Sequence, residues 1–183
     1  LGPAKGGIRY SLDVDLDEVK ALEYEGYAFE GAEASFYLLA HRLKGGSLPF
    51  SVEGFSVFVH GRGLSTAWAE ATVRVRVGES LQHTAAESPF GPVSALDRAF
   101  RKAVLQFYPE LSEVELTDYK VRILSGQEAG TNSGVRVMVE MKRGEERFAT
   151  VGASENILEA SLKALTDGYA YALLYPVATP RGA

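Results

Sequence analysis

The stretches V-R-V-R-V from Val73 and T-A-A-E-S from Thr84 decide the fold, because both recur later in the chain. V-R-V-M-V begins at Val135, and T-V-G-A-S begins at Thr150. Valine at every second position is typical of a strand with one buried face. A segment with apolar residues at helical spacing follows each T-x-x-x-S stretch within a few residues. The sequence therefore predicts an internal duplication of a strand-strand-strand-helix unit.

The expected fold class is α+β, in which each of the two βββα units forms a sheet layer with a helix on one face. A small helical region precedes the units, with helices expected over 17–24 and 32–43. The stretch K-G-G-S from Lys44 is typical of a linker. We therefore divide the chain into an N-terminal arm and helical linker region, 1–48, and a duplicated domain, 49–183.

The boundaries of the two unit helices are predicted from capping residues. Pro92 is expected in the first turn of the first helix, where its missing N–H is tolerated. Ser154 is the expected N-cap of a longer second helix, which should run to about Leu174. Before the first repeated strand, the residues around Gly54 predict a strand or a bent hairpin. The polar segment 125–133 is expected to be a loop.

Composition excludes several classes of function. The formal net charge of −5 argues against a broad nucleic-acid surface. The chain has no cysteine, so it has no disulfides or thiolate metal ligands, and this composition is compatible with a cytoplasmic location. No apolar run is long enough to span a membrane, and the first residues do not resemble a signal peptide. His41, His60 and His83 lie far apart, and no nucleophile elbow or phosphate-binding loop is present. We therefore expect no metal site, no cofactor and no catalytic residues.

The predicted layers raise the question of what covers the second face of each sheet. A layer with helices on one face leaves the other face open. A second copy of the chain, related by a two-fold axis, would cover that face, so we expect a homodimer. The alternative is that the N-terminal helices of the same chain provide the cover.

The starts of the two unit helices are the candidate binding site. In each unit a strand of small residues leads directly into a helix N-terminus, at Gly91 and at Asn156. Unpaired N–H groups and the positive end of the helix dipole suit a carboxylate there. Gly152 would leave room, and Val151 and Ile157 could form the walls of a pocket for a small amino acid with a branched apolar side chain. The alternative is that the small residues only permit close packing of helix on sheet.

Four blocks of the sequence resemble one family. They are E-Y-E-G-Y-A-F-E-G-A-E-A-S-F-Y-L-L from Glu23, H-T-A-A-E-S-P-F-G-P-V-S-A-L-D-R-A-F-R-K-A-V from His83, L-T-D-Y-K-V-R-I-L from Leu116 and T-V-G-A-S-E-N-I-L-E-A-S-L-K-A-L-T-D-G-Y from Thr150. In this order they resemble the C-terminal regulatory domain of 2-isopropylmalate and citramalate synthases, and the first block resembles the citramalate-type enzymes in particular.

The resemblance implies a regulatory function. Enzymes of this family are transferases of branched-chain amino acid biosynthesis that condense acetyl-CoA with a 2-oxo acid on a metal-bearing barrel. Their C-terminal domain dimerises and binds leucine or isoleucine, which inhibits the distant barrel. The barrel motifs are absent here, so the chain alone is not expected to catalyse the condensation, and a catalytic barrel domain is an expected partner. The effector-binding residues implied by the matching motifs are Gly91, Pro92, Tyr119, Thr150, Val151, Gly152, Ser154, Asn156 and Ile157.

One departure from the family pattern supports a second hypothesis. S-P-F from Ser88 stands where the family more often has a loop rich in glycine and asparagine. A bulky Phe90 could reshape or block one effector pocket. The alternative function is therefore a purely structural dimerisation module whose pocket has degenerated.

The first residues resemble a different family. G-P-A-K-G-G-I-R-Y-S-L-D-V-D-L-D-E-V-K-A-L from Gly2 is similar to a segment of glutamate dehydrogenases, in which the lysine matched by Lys5 belongs to the substrate site. The resemblance covers only about the first 22 residues and none of the nucleotide-binding domain. We expect no dehydrogenase activity, and an enzymatic function is the third and least supported hypothesis.

Overall fold

The computed structural model describes residues 16–64, 66–124 and 134–176. The expected arm before residue 16 and the expected loop 125–133 lie outside these ranges. The helices are α1 Leu16–Tyr24, α2 Glu33–Leu43, α3 Pro92–Val104 and α4 Ile157–Leu174, with a short 3-10 helix at Pro109–Glu113. The strands are β1 Ser51–Arg62, β2 Thr66–Val77, β3 Ser80–Ser88, β4 Val114–Ile123, β5 Val135–Arg143 and β6 Glu146–Ser154.

Two antiparallel sheets, in the orders β1-β2-β3 and β4-β5-β6, confirm the predicted α+β fold of two βββα units. Helix α3 packs on β2 and β3, and α4 packs on β5 and β6. The expected bend around Gly54 is a register shift between Val52 and Gly54 within the single strand β1. A shift of this kind bends a strand without ending it.

One hydrogen bond occurs at the same place in both units. The hydroxyl of Thr84 donates to the carbonyl oxygen of Ala99 at 2.6 Å, and the hydroxyl of Thr150 donates to that of Ala164 at 2.6 Å. Each bond joins the last strand of a unit to the middle of its helix. Because both threonines start the repeated T-x-x-x-S stretches, the structure supports the internal duplication.

The core lies between the sheets and the two unit helices. The inward valines of the central strands, Val73 and Val75 in β2 and Val137 and Val139 in β5, are fully buried. Full burial of each such side chain contributes about 1.5–3 kcal/mol. The core therefore follows from the alternation in the sequence.

The N-terminal region covers the opposite face of the second sheet. Phe29, Phe36 and Leu39 form a cluster with Val151, and Met138 packs against it. The hydroxyl of Ser35 in α2 accepts a hydrogen bond from the Val151 N–H at 2.9 Å, at the free edge of β6. At the second sheet, the N-terminal helices of the same chain therefore provide the cover, which was the alternative to cover by a second copy.

Exposed apolar residues lie on both faces of the first sheet and on the helix-facing side of β4. On β1, Phe55 and Val59 pair with the buried Val73 and Ala69, so they face the same side. Val59 is 59% exposed, and Ile123 on β4 is 69% exposed. One helix packs mainly on two strands of each sheet, which leaves these side chains of the third strand exposed. On the other face of the first sheet, where the sequence predicts uncovered apolar residues, Phe58 is 60% and Leu81 46% exposed.

Within the described residues, no helix is long and apolar enough to cross a membrane.

The interval between α2 and β1 contains the predicted domain boundary. The division at residue 48 stays a prediction.

Substitution of Gly152 should destabilise the protein strongly. A Cβ at this position would lie 2.1 Å from the Ala160 carbonyl oxygen and 2.9 Å from the Ala164 nitrogen, both backbone atoms of α4. We expect Gly152→Ala to lower the free energy of unfolding by about 1–3 kcal/mol, measured by urea denaturation, because helix and strand must separate. Gly134→Ala is the matched control, since its Cβ would have no neighbour closer than 3.5 Å. Equal stability of the two variants would contradict the packing described here.

Candidate functional site

The start of α4 is already capped by its own side chains. The Asn156 side-chain oxygen accepts hydrogen bonds from the backbone N–H groups of Leu158 and Glu159 at 2.8 and 3.2 Å. The predicted N-cap at Ser154 is therefore wrong by two residues. Ser154 instead accepts from the Asn156 N–H at 3.1 Å, which fixes the turn that precedes the helix. This helix start has few N–H groups left for an anion.

The start of α3 differs, because its N-cap is Gly91, which has no side chain to accept from the first turn. Its φ of +103° lies in the range that favours glycine. Pro92 follows and has no N–H. Ser88 accepts from the Phe90 N–H at 3.1 Å, as Ser154 does from Asn156. Of the two helix starts that are predicted to bind a carboxylate, the start of α3 in the first unit is therefore the more open one.

Tyr119 joins β4 to the beginning of α4. Its hydroxyl lies 2.7 Å from the hydroxyl of Ser161, which in turn donates to the Ile157 carbonyl oxygen at 2.5 Å. Ile157 itself is 44% exposed. The structure thus brings together Tyr119 and Ile157 among the predicted site residues. Ser161 was not predicted, because a serine within an apolar helical stripe gives no signal that it has a specific partner.

Three other predicted residues are buried in internal contacts. Thr150 is 1% exposed and bonded to Ala164, and Gly152 lies directly against the backbone of α4. Val151 is fully buried on the opposite face of the sheet, beneath the N-terminal region, so it is separated from Ile157 by the sheet. At Gly152 the structure shows the close packing that was the alternative reading. Contact of these residues with an effector stays a prediction.

Phe90 stands two residues after Ser88, as Asn156 stands two residues after Ser154, but the N-cap of α3 is the next residue, Gly91. Its ring is 80% exposed, and the guanidinium carbon of Arg98 lies 5.9 Å from its centroid. An exposed aromatic ring thus lies next in sequence to Gly91, the N-cap of α3.

A buried polar network connects the two unit helices. The Tyr169 hydroxyl donates to an Asp97 carboxylate oxygen at 2.5 Å and accepts from Arg101 at 3.1 Å. Burial raises the pKa of Asp97, and the hydrogen bond from Tyr169 and the charge of Arg101 oppose that rise. Burial also raises the pKa of Tyr169 well above its ordinary range, so the phenol stays protonated. The spacing of Asp97 and Arg101 predicts that they lie on one helix face, but Tyr169 of α4, which bonds to both, could not be predicted.

No group of three or more histidine, aspartate or glutamate side chains in the described ranges could hold a metal ion.

Comparison with known proteins identifies relatives over most of the chain. A family model described as the LeuA allosteric (dimerisation) domain matches residues 30–173. The (R)-citramalate synthase of Geobacter sulfurreducens is 51% identical over 161 residues, which cover 86% of this chain and 30% of that protein. The (R)-citramalate synthase of Aquifex aeolicus is 47% identical over 161 residues, which cover 87% of this chain and 30% of that protein. The chain thus spans about 30% of the length of these curated relatives.

A longer match includes much of the N-terminal stretch. The (R)-citramalate synthase of Streptomyces coelicolor is 42% identical over 177 residues, which cover 95% of this chain and 33% of that protein. Only about 5% of the chain lies outside this match. Most of the segment that resembles glutamate dehydrogenases is therefore also aligned with a citramalate synthase.

Removal of the Tyr169 hydroxyl should destabilise the contact between α3 and α4. In Tyr169→Phe, Asp97 loses its hydrogen-bond donor, at an expected cost of about 1–3 kcal/mol in the free energy of unfolding. The folded-state pKa of Asp97 should rise further above its unfolded value. Stability falls with rising pH between those two values, because the folded state binds more protons there. In Tyr169→Phe, the pH range over which the free energy of unfolding falls should therefore extend to higher pH.

Urea denaturation of Tyr169→Phe at several pH values would test this expectation. Tyr24→Phe is the control, since Tyr24 is 95% exposed. A profile that runs parallel to that of the unmodified chain at every pH would contradict the role given to the hydroxyl.

Proposed function

The chain belongs to the LeuA allosteric (dimerisation) domain family, and from this we propose that it is the dimerising, effector-sensing domain of a citramalate synthase-type transferase. Several relatives are (R)-citramalate synthases, and the matched region is less than a third of their length. We propose that the acyl transfer takes place in a separate catalytic domain and that this chain alone does not catalyse it.

The observation that carries the proposal is the pair of uncovered apolar strands. Phe55 and Val59 on β1, and Val121 and Ile123 on β4, are each more than one third exposed on the sides that face the cores of their sheets. Apolar side chains on the core-facing side of a strand indicate a cover that one chain does not provide. A second copy about a two-fold axis presents the same two strands in return. We therefore infer a homodimer.

We infer further that the effector is a branched-chain amino acid, isoleucine or leucine, which inhibits the catalytic domain. Support comes from the helix starts. The first turn of α3 has no side-chain cap at Gly91 or Pro92 and suits a carboxylate. The exposed Ile157 and the hydroxyl of Tyr119 offer an apolar surface and a polar group at the start of α4. We propose that the start of α3 and the start of α4 contact each other across the dimer.

The second candidate function is a dimerisation module without an effector. The exposed ring of Phe90 favours it, because the ring stands beside the start of α3, which lacks the side-chain cap that α4 has. In that case the chain dimerises but does not respond to any branched-chain amino acid.

A negative charge on the uncovered strands should dissociate the dimer. We expect size-exclusion chromatography with light scattering to give twice the chain mass of 19.8 kDa for the unmodified protein. Val59→Glu combined with Ile123→Glu should weaken association at least tenfold, which is about 1.4 kcal/mol, since a buried unpaired charge is costly. Ser56→Glu is the control, because Ser56 lies on the other face of β1 and is exposed. A monomeric unmodified chain, or equal effects of the two changes, would refute the surface proposed.

Effector binding should be detectable by isothermal titration of the unmodified chain with L-isoleucine, L-leucine and L-valine. D-isoleucine is the control for stereospecific recognition. At a hundredfold excess over the dissociation constant, the bound ligand should add about 2.7 kcal/mol to the free energy of unfolding. A dimer that shows neither heat nor a thermal shift with any of the three would favour the second candidate function.

A further inference from the structure

Three elements meet at the side chain of Ser35, which lies in the first turn of α2 and is buried. Its hydroxyl accepts a hydrogen bond from the Val151 N–H of β6 at 2.9 Å. The same hydroxyl lies 3.4 Å from the Val151 carbonyl oxygen and 3.3 Å from a carboxylate oxygen of Asp167 on α4. We call Ser35, Val151 and Asp167 the Ser35 junction. It joins the N-terminal helices to the edge of the second sheet and to α4.

The ionised form of this junction has one proton too few. A serine hydroxyl has a single proton to donate and two lone pairs with which to accept. One lone pair of Ser35 takes the Val151 N–H, and the proton faces two acceptors, the Val151 carbonyl oxygen and the Asp167 carboxylate. It can satisfy only one of the two at a time. A buried acceptor without its donor costs free energy, so the docked state of α2 is penalised while Asp167 is ionised.

Protonation of Asp167 removes the deficit. A protonated carboxyl group has one O–H to donate. That O–H can donate to the second lone pair of Ser35, and the proton of Ser35 is then free for the Val151 carbonyl oxygen. Every polar group of the Ser35 junction then has a partner. The count of donors and acceptors therefore favours the neutral acid in the docked state.

The contact of Asp167 with Arg42 does not reverse this preference. The side chain of Asp167 is only 16% exposed, whereas that of Arg42 is 48% exposed, and the nearest nitrogen and oxygen are 3.8 Å apart. An ion pair with so exposed a partner contributes little. Burial therefore outweighs the charge of Arg42 and the hydroxyl of Ser35, and it raises the pKa of Asp167 to about 6.

The other charged or titratable groups that face Asp167 come from three places. They are Glu18 on α1, which is exposed, Tyr27 between α1 and α2, and Lys163 on α4. The ammonium of Lys163 is 2.8 Å from Glu159, its own partner. Burial raises the pKa of Tyr27, so this phenol stays neutral near pH 7. The residues of the linker and of β1 that face Asp167 across a cavity of about 290 Å³ are uncharged.

We propose that the Ser35 junction is a pH-sensitive switch, which holds the N-terminal helices on the second sheet when Asp167 is protonated and allows them to release when it is ionised. Release uncovers the apolar face that Phe36 and Leu39 of α2 otherwise cover. Asp167 binds its proton more tightly in the docked state than in the released state. Docking is therefore strongest at low pH, weakens as the pH rises towards 6 and changes little above that value. The switch depends neither on the dimer nor on an effector.

Amide hydrogen exchange of the full chain tests the proposal, since it reports the local opening of α2. After correction for the intrinsic pH dependence of exchange, the ratio of docked to released α2 should be about tenfold higher at pH 5 than at pH 7. The amides of α3, which packs on the first sheet, serve as the internal reference. If α2 exchanged at the same rate as α3 at every pH, the helices would not release separately and the proposal would be overturned.

Asp167→Asn removes the charge and supplies an N–H donor for Ser35. The protection of α2 should then be independent of pH between 5 and 7, and at pH 7 it should exceed that of the unmodified chain. Asp97→Asn is the matched control, because Asp97 is a second aspartate whose pKa burial raises, but it bonds to Tyr169 outside the Ser35 junction. This control should keep the tenfold change. Equal pH dependence of α2 in Asp167→Asn and in the unmodified chain would overturn the switch.

Arg42→Met gives a second test that leaves the Ser35 junction intact, and it decides the matter if Asp167→Asn does not fold. Loss of the nearby positive charge should raise the pKa of Asp167 further. The pH range over which α2 loosens should therefore move to higher pH. A carbon-13 NMR titration of the Asp167 carboxyl group, in this variant and in the unmodified chain, measures that shift directly. An Asp167 that titrates as an ordinary exposed aspartate, or a range that does not move in Arg42→Met, would refute the proposal.

Discussion

The width of one α-helix is the constraint on which this structure depends. A helix with its side chains is about 10–12 Å across, whereas three strands spaced about 4.8 Å apart present a surface roughly 14 Å wide. Helix α3 therefore packs on β2 and β3, and α4 on β5 and β6, and in each unit the outer strand has an uncovered side. Duplication of the unit cannot correct this, because both copies have the same shape. The need for a partner thus follows from the βββα unit itself.

Much of this fold could be predicted because its signals are local. Alternating valines at Val73 and Val135 define the central strands, and the threonines at Thr84 and Thr150 mark the same hydrogen bond to the following helix in both units. Alternation also shows which residues share a face. It does not show how much of that face a neighbouring helix covers. The sequence therefore predicted the exposed apolar residues on the outer face of the first sheet, such as Phe58, but not those on the helix-facing sides of β1 and β4.

The candidate site was harder to predict, since one residue type serves several purposes. Ser154 and Asn156 are both good N-cap residues, and only the path of the chain decides that Asn156 caps α4 while Ser154 holds the turn. A glycine before a helix can leave room for a ligand or for the helix, and at Gly152 the backbone of α4 fills the space. The approach of Ser35 to β6 and to Asp167 joins residues distant in sequence, for which a single sequence holds no signal.

Helix α4 is bonded both to β4, one of the strands that we propose for the dimer, and to α3, whose start we propose for the effector. Its second turn holds Tyr119 of β4 through Ser161, and Tyr169 reaches Asp97 on α3. A helix packed on two strands moves as one body, so a displacement at one of these contacts changes the others. A ligand that displaces the start of α4 then acts on β4, one of the two strands that we propose for the dimer. If the positions of α4 with and without ligand differ in their affinity for a partner chain, linkage requires that dimerisation change ligand affinity by the same factor. Sensing and association would then be two properties of one helix, which gives a physical reason for their occurrence in a single small domain.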